Sequence, residues 1–139
     1  VGEVTQINPA IIHTLTEKGF IPIIAPVGAG PSGETFNINA DLVASKLSIA
    51  LSAARLILLT GVDGVLDSSG SLISTIDANQ IDKMIEEKTI SGGMIPKIEC
   101  ARDALENGVE KVHIINGKKR HALLLELFTD KGIGTEVKL

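Results

Sequence analysis

The sequence predicts an α/β fold, a mostly parallel sheet with helices on both faces, and three observations predict it. RLILLT (55–60) and VEKVHII (109–115) are short, nearly continuous apolar runs, the pattern of strands covered on both sides. Between such runs lie amphipathic or alanine-rich stretches of helical length. The two kinds alternate along the chain, which parallel pairing through helical crossovers requires.

Taken in order, VGEVTQI (1–7) alternates as a strand would, as though the chain began in the middle of a fold. Asn8 offers a helix cap, Pro9 a first helical residue and Gly19 a stop. FIPIIAP (20–26) reads as a strand buried on both faces, its prolines placed at the ends or where a neighbour is missing. VGAGPSGETFN (27–37) reads as a loop, NADLVASKLSIALSAA (39–54) as a largely buried helix and RLILLT as the next strand. GVDGVLDSSGSLIST (61–75) is turn-rich. DANQIDKMIEEK (77–88) and MIPKIECARDALENG (94–108) read as helices, VEKVHII as a strand and KKRHALLLELFTDKG (118–132) as the last helix. IGTEVKL (133–139) closes as an edge strand. No repeat or interdomain linker interrupts residues 1–139, so one domain is expected.

Composition excludes several classes of function. With 13 basic against 17 acidic residues and a net charge of -4, the chain has no general attraction for nucleic acid or an anionic membrane. No apolar run reaches membrane-spanning length, and the start lacks the basic-then-apolar order of a signal peptide. The single Cys100 has no partner within the chain, which fits a reducing, cytoplasmic setting and a buried structural thiol. His13, His113 and His121 are too dispersed for a zinc signature, so no metal site is expected. KKR at 118–120 reads as a solvated turn.

Ligands of open parallel sheets bind beyond the carboxyl ends of the strands, so the strand exits are where chemistry is sought. GAGPSG (28–33) has the outward form of a dinucleotide fingerprint, but Pro31 removes a donor and no helix opens on it; a substrate-facing or flexible loop is expected. In FNINAD (36–41), one of Asn37 and Asn39 caps the following helix and the other amide is left for a polar ligand. ISGGMIPK (90–97) brings Lys97 to a helix start, where the unpaired N–H groups and the helix dipole are already positive. Either its side chain runs out to solvent, or a bound anion compensates the charge while Gly92 and Gly93 let the backbone approach. An Asp41 in the same crevice would hold the lysine. Lysine, carboxylate and amides without a nucleophilic Ser–His pair suit the electrostatics of phosphoryl transfer.

FNINAD (36–41), LLTGVDGVL (58–66), ISGGMIPK (90–97) and VHIINGKKRHALLLELFTDKGIGT (112–135), in this order, resemble the acetylglutamate kinases of the amino acid kinase family. The resemblance implies a three-layer α/β/α fold and transfer of the γ-phosphoryl of ATP, carried with Mg2+ held mainly by phosphates, to the side-chain carboxylate of N-acetyl-L-glutamate in arginine biosynthesis. It implies that Lys97 neutralises the transferring group, that Asp41 organises the lysine, and that Asn37, with Asn39 beside it, holds the acetylated amino acid. Gly61, Val62, Asp63, Gly64, Val65 and Leu66, with Thr89, Ile90 and Ser91 leading into Gly92 and Gly93, match segments lining the nucleotide. The ending is similar to that of arginine-inhibited members, in which residues matching His113, Glu126 and Gly132 surround the L-arginine inhibitor. The family commonly has Asp where Gly61 stands, so that contact is lost here or supplied by Asp63. Complete members carry an N-terminal half with glycine-rich phosphate loops and form homo-oligomers through it; the resemblance here is to the C-terminal, nucleotide-binding half. A carbamate kinase or another amino acid kinase, and a noncatalytic arginine-sensing domain, are the alternatives.

Overall fold

A computed structural model describes residues 2–139. Helix α1 (Ala10–Glu17) starts one residue later than the sequence implied, with Pro9 and not Asn8 at the cap position; Asn8 Oδ1 still accepts from the Ala10 amide at 3.1 Å, and Gly19, at φ +81°, turns the chain just past the helix end. A hairpin follows, β1 (Val27–Ala29) against β2 (Thr35–Asn37), antiparallel. Then come α2 (Ala40–Ala50), β3 (Arg55–Thr60), β4 (Thr75–Asp77), a single 3-10 turn, α3 (Ile81–Glu86), α4 (Met94–Glu106), β5 (Lys111–Asn116), α5 (Ala122–Phe128) and β6 (Thr135–Lys138).

The main sheet has the order β3-β5-β6-β4. β3 pairs parallel with β5 and β4 parallel with β6, while β5 and β6 run antiparallel. The sheet is therefore mixed and mostly parallel. Side chains alternate across β5: Val112 and Ile114 join the core with Ile98, Ala101 and Ala104 of α4, whereas His113 meets Glu126 of α5. Helices α2 and α4 thus cover one face and α5 the other, giving the three-layer α/β/α arrangement. The core is built from Ile, Val, Leu and Ala, with Ile76, Ile81, Ile90, Ile98 and Ile114 at most 1% exposed. Among the described residues, no helix is long and apolar enough to cross a membrane.

Several elements differ from the sequence reading. FIPIIAP forms no strand: Ile21 and Ile23 are 90% and 97% exposed. Pro22 and Pro26 cannot donate to a ladder, and no described strand lies alongside to pair with the segment. Of VGEVTQI, Val1 lies outside the described residues, and residues 2–7 form no strand; the Gly2 amide alone reaches the hairpin, at Asn37 O. The 27–37 loop is instead the hairpin. RLILLT is buried on one face, through Leu56 and Leu58, while Leu59 is 54% exposed, because β3 is a sheet edge and α5 packs over β5. IGTEVKL supplies an inner strand, not an edge. The edge beside it is β4, at the junction of the stretch that reads as turns (61–75) and the one that reads as a helix (77–88), where three residues are too few to show a period. The last helix is shorter than 118–132, since residues 117–121 turn off β5 before α5 starts.

Candidate functional site

Short connections, 51–54 and 107–110, fold α2 and α4 back onto β3 and β5, so both helix N-termini lie at the carboxyl ends of these strands. There the sequence places its polar residues. Asn39 takes an extended conformation and its Oδ1 accepts from the amides of Asp41 at 2.9 Å and Leu42 at 3.2 Å. That settles which amide is the cap. Asn37, at the end of β2, is exposed, and its side chain makes no hydrogen bond with the described residues. Asn39→Ala is expected to cost about 1 kcal/mol in urea denaturation, the usual loss of a side-chain cap. Asn37→Ala should stay within about 0.5 kcal/mol.

Lys97 sits in the first turn of α4, whose cap position, Gly93, provides no side-chain acceptor. Its Nζ donates to both oxygens of Asp41, at 2.7 and 2.8 Å. The lysine side chain is 12% exposed and the aspartate 29%. A carboxylate on the neighbouring helix therefore offsets the awkward positive charge, and the side chain does not run out to solvent. Gly92 and Gly93 beside it are exposed, and a Cβ added to either would meet nothing within 4 Å. The helix start is open to an approaching anion while the ammonium is held in a fixed place.

At the exit of β3, Gly61 to Leu66 form an irregular loop beside residues 117–121, because Thr60 and Asn116 are register partners. Asp63 Oδ1 accepts from Asn116 Nδ2 at 2.8 Å and pairs with Lys119 Nζ at 3.0 Å. The hydrogen bond from Asn116, then the one from Lys119, hold its carboxyl below the ordinary range. Gly61 is open; a Cβ there would lie 3.5 Å from Lys118 Nζ, so the cation that an aspartate would meet is present without it. Gly64 has φ +144°, and a Cβ there would come within 2.6 Å of Thr135 Oγ1, so the loop closes only with glycine. Val65 and Ile90 are each 1% exposed, so any nucleotide contact they make comes from the main chain. Thr89 is half-buried, while Val62 and Ser91 lie at the surface.

On the opposite face of the sheet, His113 Nδ1 and Glu126 Oε1 are 2.7 Å apart, and Glu126 Oε2 accepts from the amides of Ile133 at 2.6 Å and Gly134 at 3.0 Å. Burial alone would raise the Glu126 carboxyl; the Ile133 amide, His113 and the Gly134 amide outweigh it and hold the carboxyl low. Gly132 lets the chain wrap this closely, with φ +60° and room for no Cβ beyond 2.7 Å from Oε2. These three residues border a cavity of about 580 Å³, whose charged walls include Arg55, Lys111, Asp130 and Glu136. They lie well apart, across the sheet, from Lys97 and Asp41.

Sequence reasoning missed the supports. Thr135, fully buried, accepts from the Val65 amide at 2.9 Å and donates to Ile73 O at 2.7 Å, pinning the Gly61–Leu66 loop. Nothing in GIGT signals this, because a threonine bonded seventy residues away leaves no local pattern. KKR is the exposed turn expected from the sequence, and from it Lys119, with Asn116, holds Asp63. Cys100 is half-buried, not fully buried, and borders a groove between α2 and α4; burial, then the charge of Asp41, raises its thiol, which makes it a poor nucleophile.

Comparison with known proteins adds the family. Residues 1–116 match the model of the amino acid kinase family. Over 139 residues the chain is 55% identical to the acetylglutamate kinase of Syntrophus aciditrophicus (strain SB), covering 100% of this chain and 47% of that protein. It spans about half the length of the curated relatives it matches. The N-acetylglutamate synthase from Neisseria gonorrhoeae complexed with coenzyme A and N-acetyl-glutamate superposes with a TM-score of 0.94 at 32% identity, covering 100% of this chain and 32% of that one. The same synthase complexed with coenzyme A and L-arginine gives 0.88 at 33% identity, covering 94% and 30%. With four motifs in order, the layered mixed sheet and the family match over most of its length, the chain belongs to the amino acid kinase family.

Proposed function

We propose that this chain is the nucleotide-binding part of an acetylglutamate kinase, which transfers the γ-phosphoryl of ATP to the side-chain carboxylate of N-acetyl-L-glutamate. The observation that carries the reading is the bidentate Lys97–Asp41 pair at an open helix start, with Gly92 and Gly93 exposed beside it. In the reaction a carboxylate oxygen of the substrate attacks the γ-phosphorus, the bond to the bridging oxygen breaks with its electron pair going to ADP, and an acyl phosphate results. No proton need move. Charge shifts among oxygens, and the task left to the protein is to fix an ammonium where that charge gathers.

Lys97 is that ammonium and Asp41 holds it in place. Asn37, free of the cap, donates its amide to the acetylated amino acid, and Asn39 lends its NH2 group beside it. Gly61 to Leu66 and Thr89 to Ser91 line the nucleotide, largely through main-chain atoms. Among the described residues, no group of three or more Asp, Glu, His or Cys side chains is placed to hold a metal ion. Mg2+ arriving with ATP would be held mainly by phosphate oxygens, where it would neutralise part of their charge.

The cavity at His113, Glu126 and Gly132 takes L-arginine as a feedback inhibitor; its acidic groups, Glu126, Asp130 and Glu136, suit a guanidinium. Glu126 already accepts three hydrogen bonds, so its Oε1, with one partner, is the oxygen with capacity left.

Calorimetry with MgATP, together with hydroxylamine trapping of acyl phosphate, tests the reading. The 139-residue chain should bind nucleotide weakly and form no hydroxamate, whereas a protein twice its length that contains it should form hydroxamate with N-acetyl-L-glutamate and not with carbamate or glutamate. Robust hydroxamate from the chain alone would refute the division of labour. No transfer to N-acetyl-L-glutamate by the longer protein would refute the kinase.

A further inference from the structure

Helices α2 and α4 meet along a seam of small side chains. Ser45 and Ser48 line it from α2, Ala101 and Ala104 from α4, and all four are at most 5% exposed. Small residues let the helices approach closely, but side chains of this size interlock little and by themselves do little to fix one helix against sliding along the other. The directional contacts across the seam are two. One is Lys97 with Asp41. The other is Asp103, whose carboxylate accepts from Lys46 Nζ at 2.9 and 3.1 Å and from Ser45 Oγ at 3.0 Å, with Asn107 Nδ2 at 3.3 Å from its own helix.

The two contacts have different burdens. An ammonium that meets a transferring phosphoryl group must share its hydrogen bonds with that group, and while it does so its hold on Asp41 weakens. Two of the three ammonium N–H groups are on Asp41 and one remains for the phosphoryl group, so the first contact is loaded by the reaction itself, whereas the second is not. The second lies further along α2, away from the open glycines, with both charged side chains about one-third exposed and a fully buried serine hydroxyl fixing one carboxylate oxygen.

We propose that Asp103 is a positioning residue: by gripping Ser45 and Lys46 it holds α2 and α4 in register, so that Asp41 stays beneath Lys97 while the Lys97 ammonium engages the phosphoryl group. The proposal rests on the kinase reading for the purpose of the clamp, but the clamp itself can be tested without turnover. Asp103→Asn weakens it, Lys46→Met removes its cation while leaving Asp103 to Ser45 and Asn107, and Asp103→Glu retains the charge.

In the 139-residue chain, acetic anhydride labelling is read lysine by lysine by mass spectrometry, with Lys111, paired to Glu136 on β6, as the internal reference. Asp103→Asn and Lys46→Met should raise the labelling rate of Lys97 relative to Lys111 about fivefold, the factor that accompanies a loosening on the order of one ion pair. Asp103→Glu should restore most of the protection. In the longer phosphotransferase the same variants should lower kcat with little change in the KM for ATP. Unchanged Lys97 labelling in folded variants overturns the proposal whether or not transfer occurs; should Asp103→Asn fail to fold, Lys46→Met decides alone. Raised labelling in a protein whose parent shows no phosphoryl transfer would sustain the clamp and overturn the kinase reading.

Discussion

In the phosphotransferase that contains this chain, Lys97→Ala is expected to lower kcat by about 10²–10³, the loss typical of removing one preorganised group that meets developing charge. The KM for ATP should move by less than about threefold, because a contact felt mainly in the transition state is lost from kcat and not from ground-state binding. The structure supplies the reason for separating the two effects. Lys97 is already fixed before any ligand arrives, by two hydrogen bonds to Asp41 at 2.7 and 2.8 Å, so little ordering remains to be done when charge gathers. The Asp41 side chain is already 29% accessible beside Lys97 and can turn to water once the lysine is truncated, so the fold should survive with a loss of about 1 kcal/mol. Steady-state kinetics beside a urea titration reads both quantities. A kcat equal to the parent's would remove Lys97 from the reaction.

Much of this site was legible in sequence because its logic is local. A lysine in a first helical turn contradicts the helix dipole, and that contradiction pointed to a compensating group before any was visible. Asp41 was a candidate because capping placed it at the start of another helix. What sequence could not supply was the choice between cap and ligand for Asn37 and Asn39, which depends on where the chain turns by one residue. The fold shows the same division. VEKVHII is buried on both faces as its composition implied, yet RLILLT, no less apolar, leaves Leu59 exposed, because burial belongs to position in the sheet and not to the strand. The apolar run at 20–26 failed for the same reason. Its composition suits a covered strand, but a strand needs a neighbour to accept its hydrogen bonds, and none is described beside it.

Glu126 is where the largest loss of stability is expected. Its side chain is 4% exposed, and the carboxylate satisfies His113 and the amides of Ile133 and Gly134, which tie the turn after α5 to the middle of the sheet. Glu126→Ala should cost about 3–5 kcal/mol, because it strands several buried polar groups at once. Glu126→Gln keeps an oxygen for the two amides but turns an NH2 group toward His113, whose Nε2 is buried and without a partner to accommodate a change of tautomer. A loss of about 1–3 kcal/mol is expected there. The pH dependence identifies the cause. In the folded chain the carboxyl titrates below its ordinary 4.5, despite burial, because the amides and His113 favour the charged form. The stability it contributes is then fully present above about pH 4.5 and is lost as the pH falls through the depressed folded value. Asp63 and Asp67, held by partners other than Glu126 and His113, contribute equally to parent and variant and cancel in the difference. Urea denaturation of the parent and Glu126→Gln should therefore show a gap that narrows as the pH falls below about 4.5. A gap that persists unchanged to pH 3 would mean that shape, and not the carboxylate charge, is what Glu126 provides.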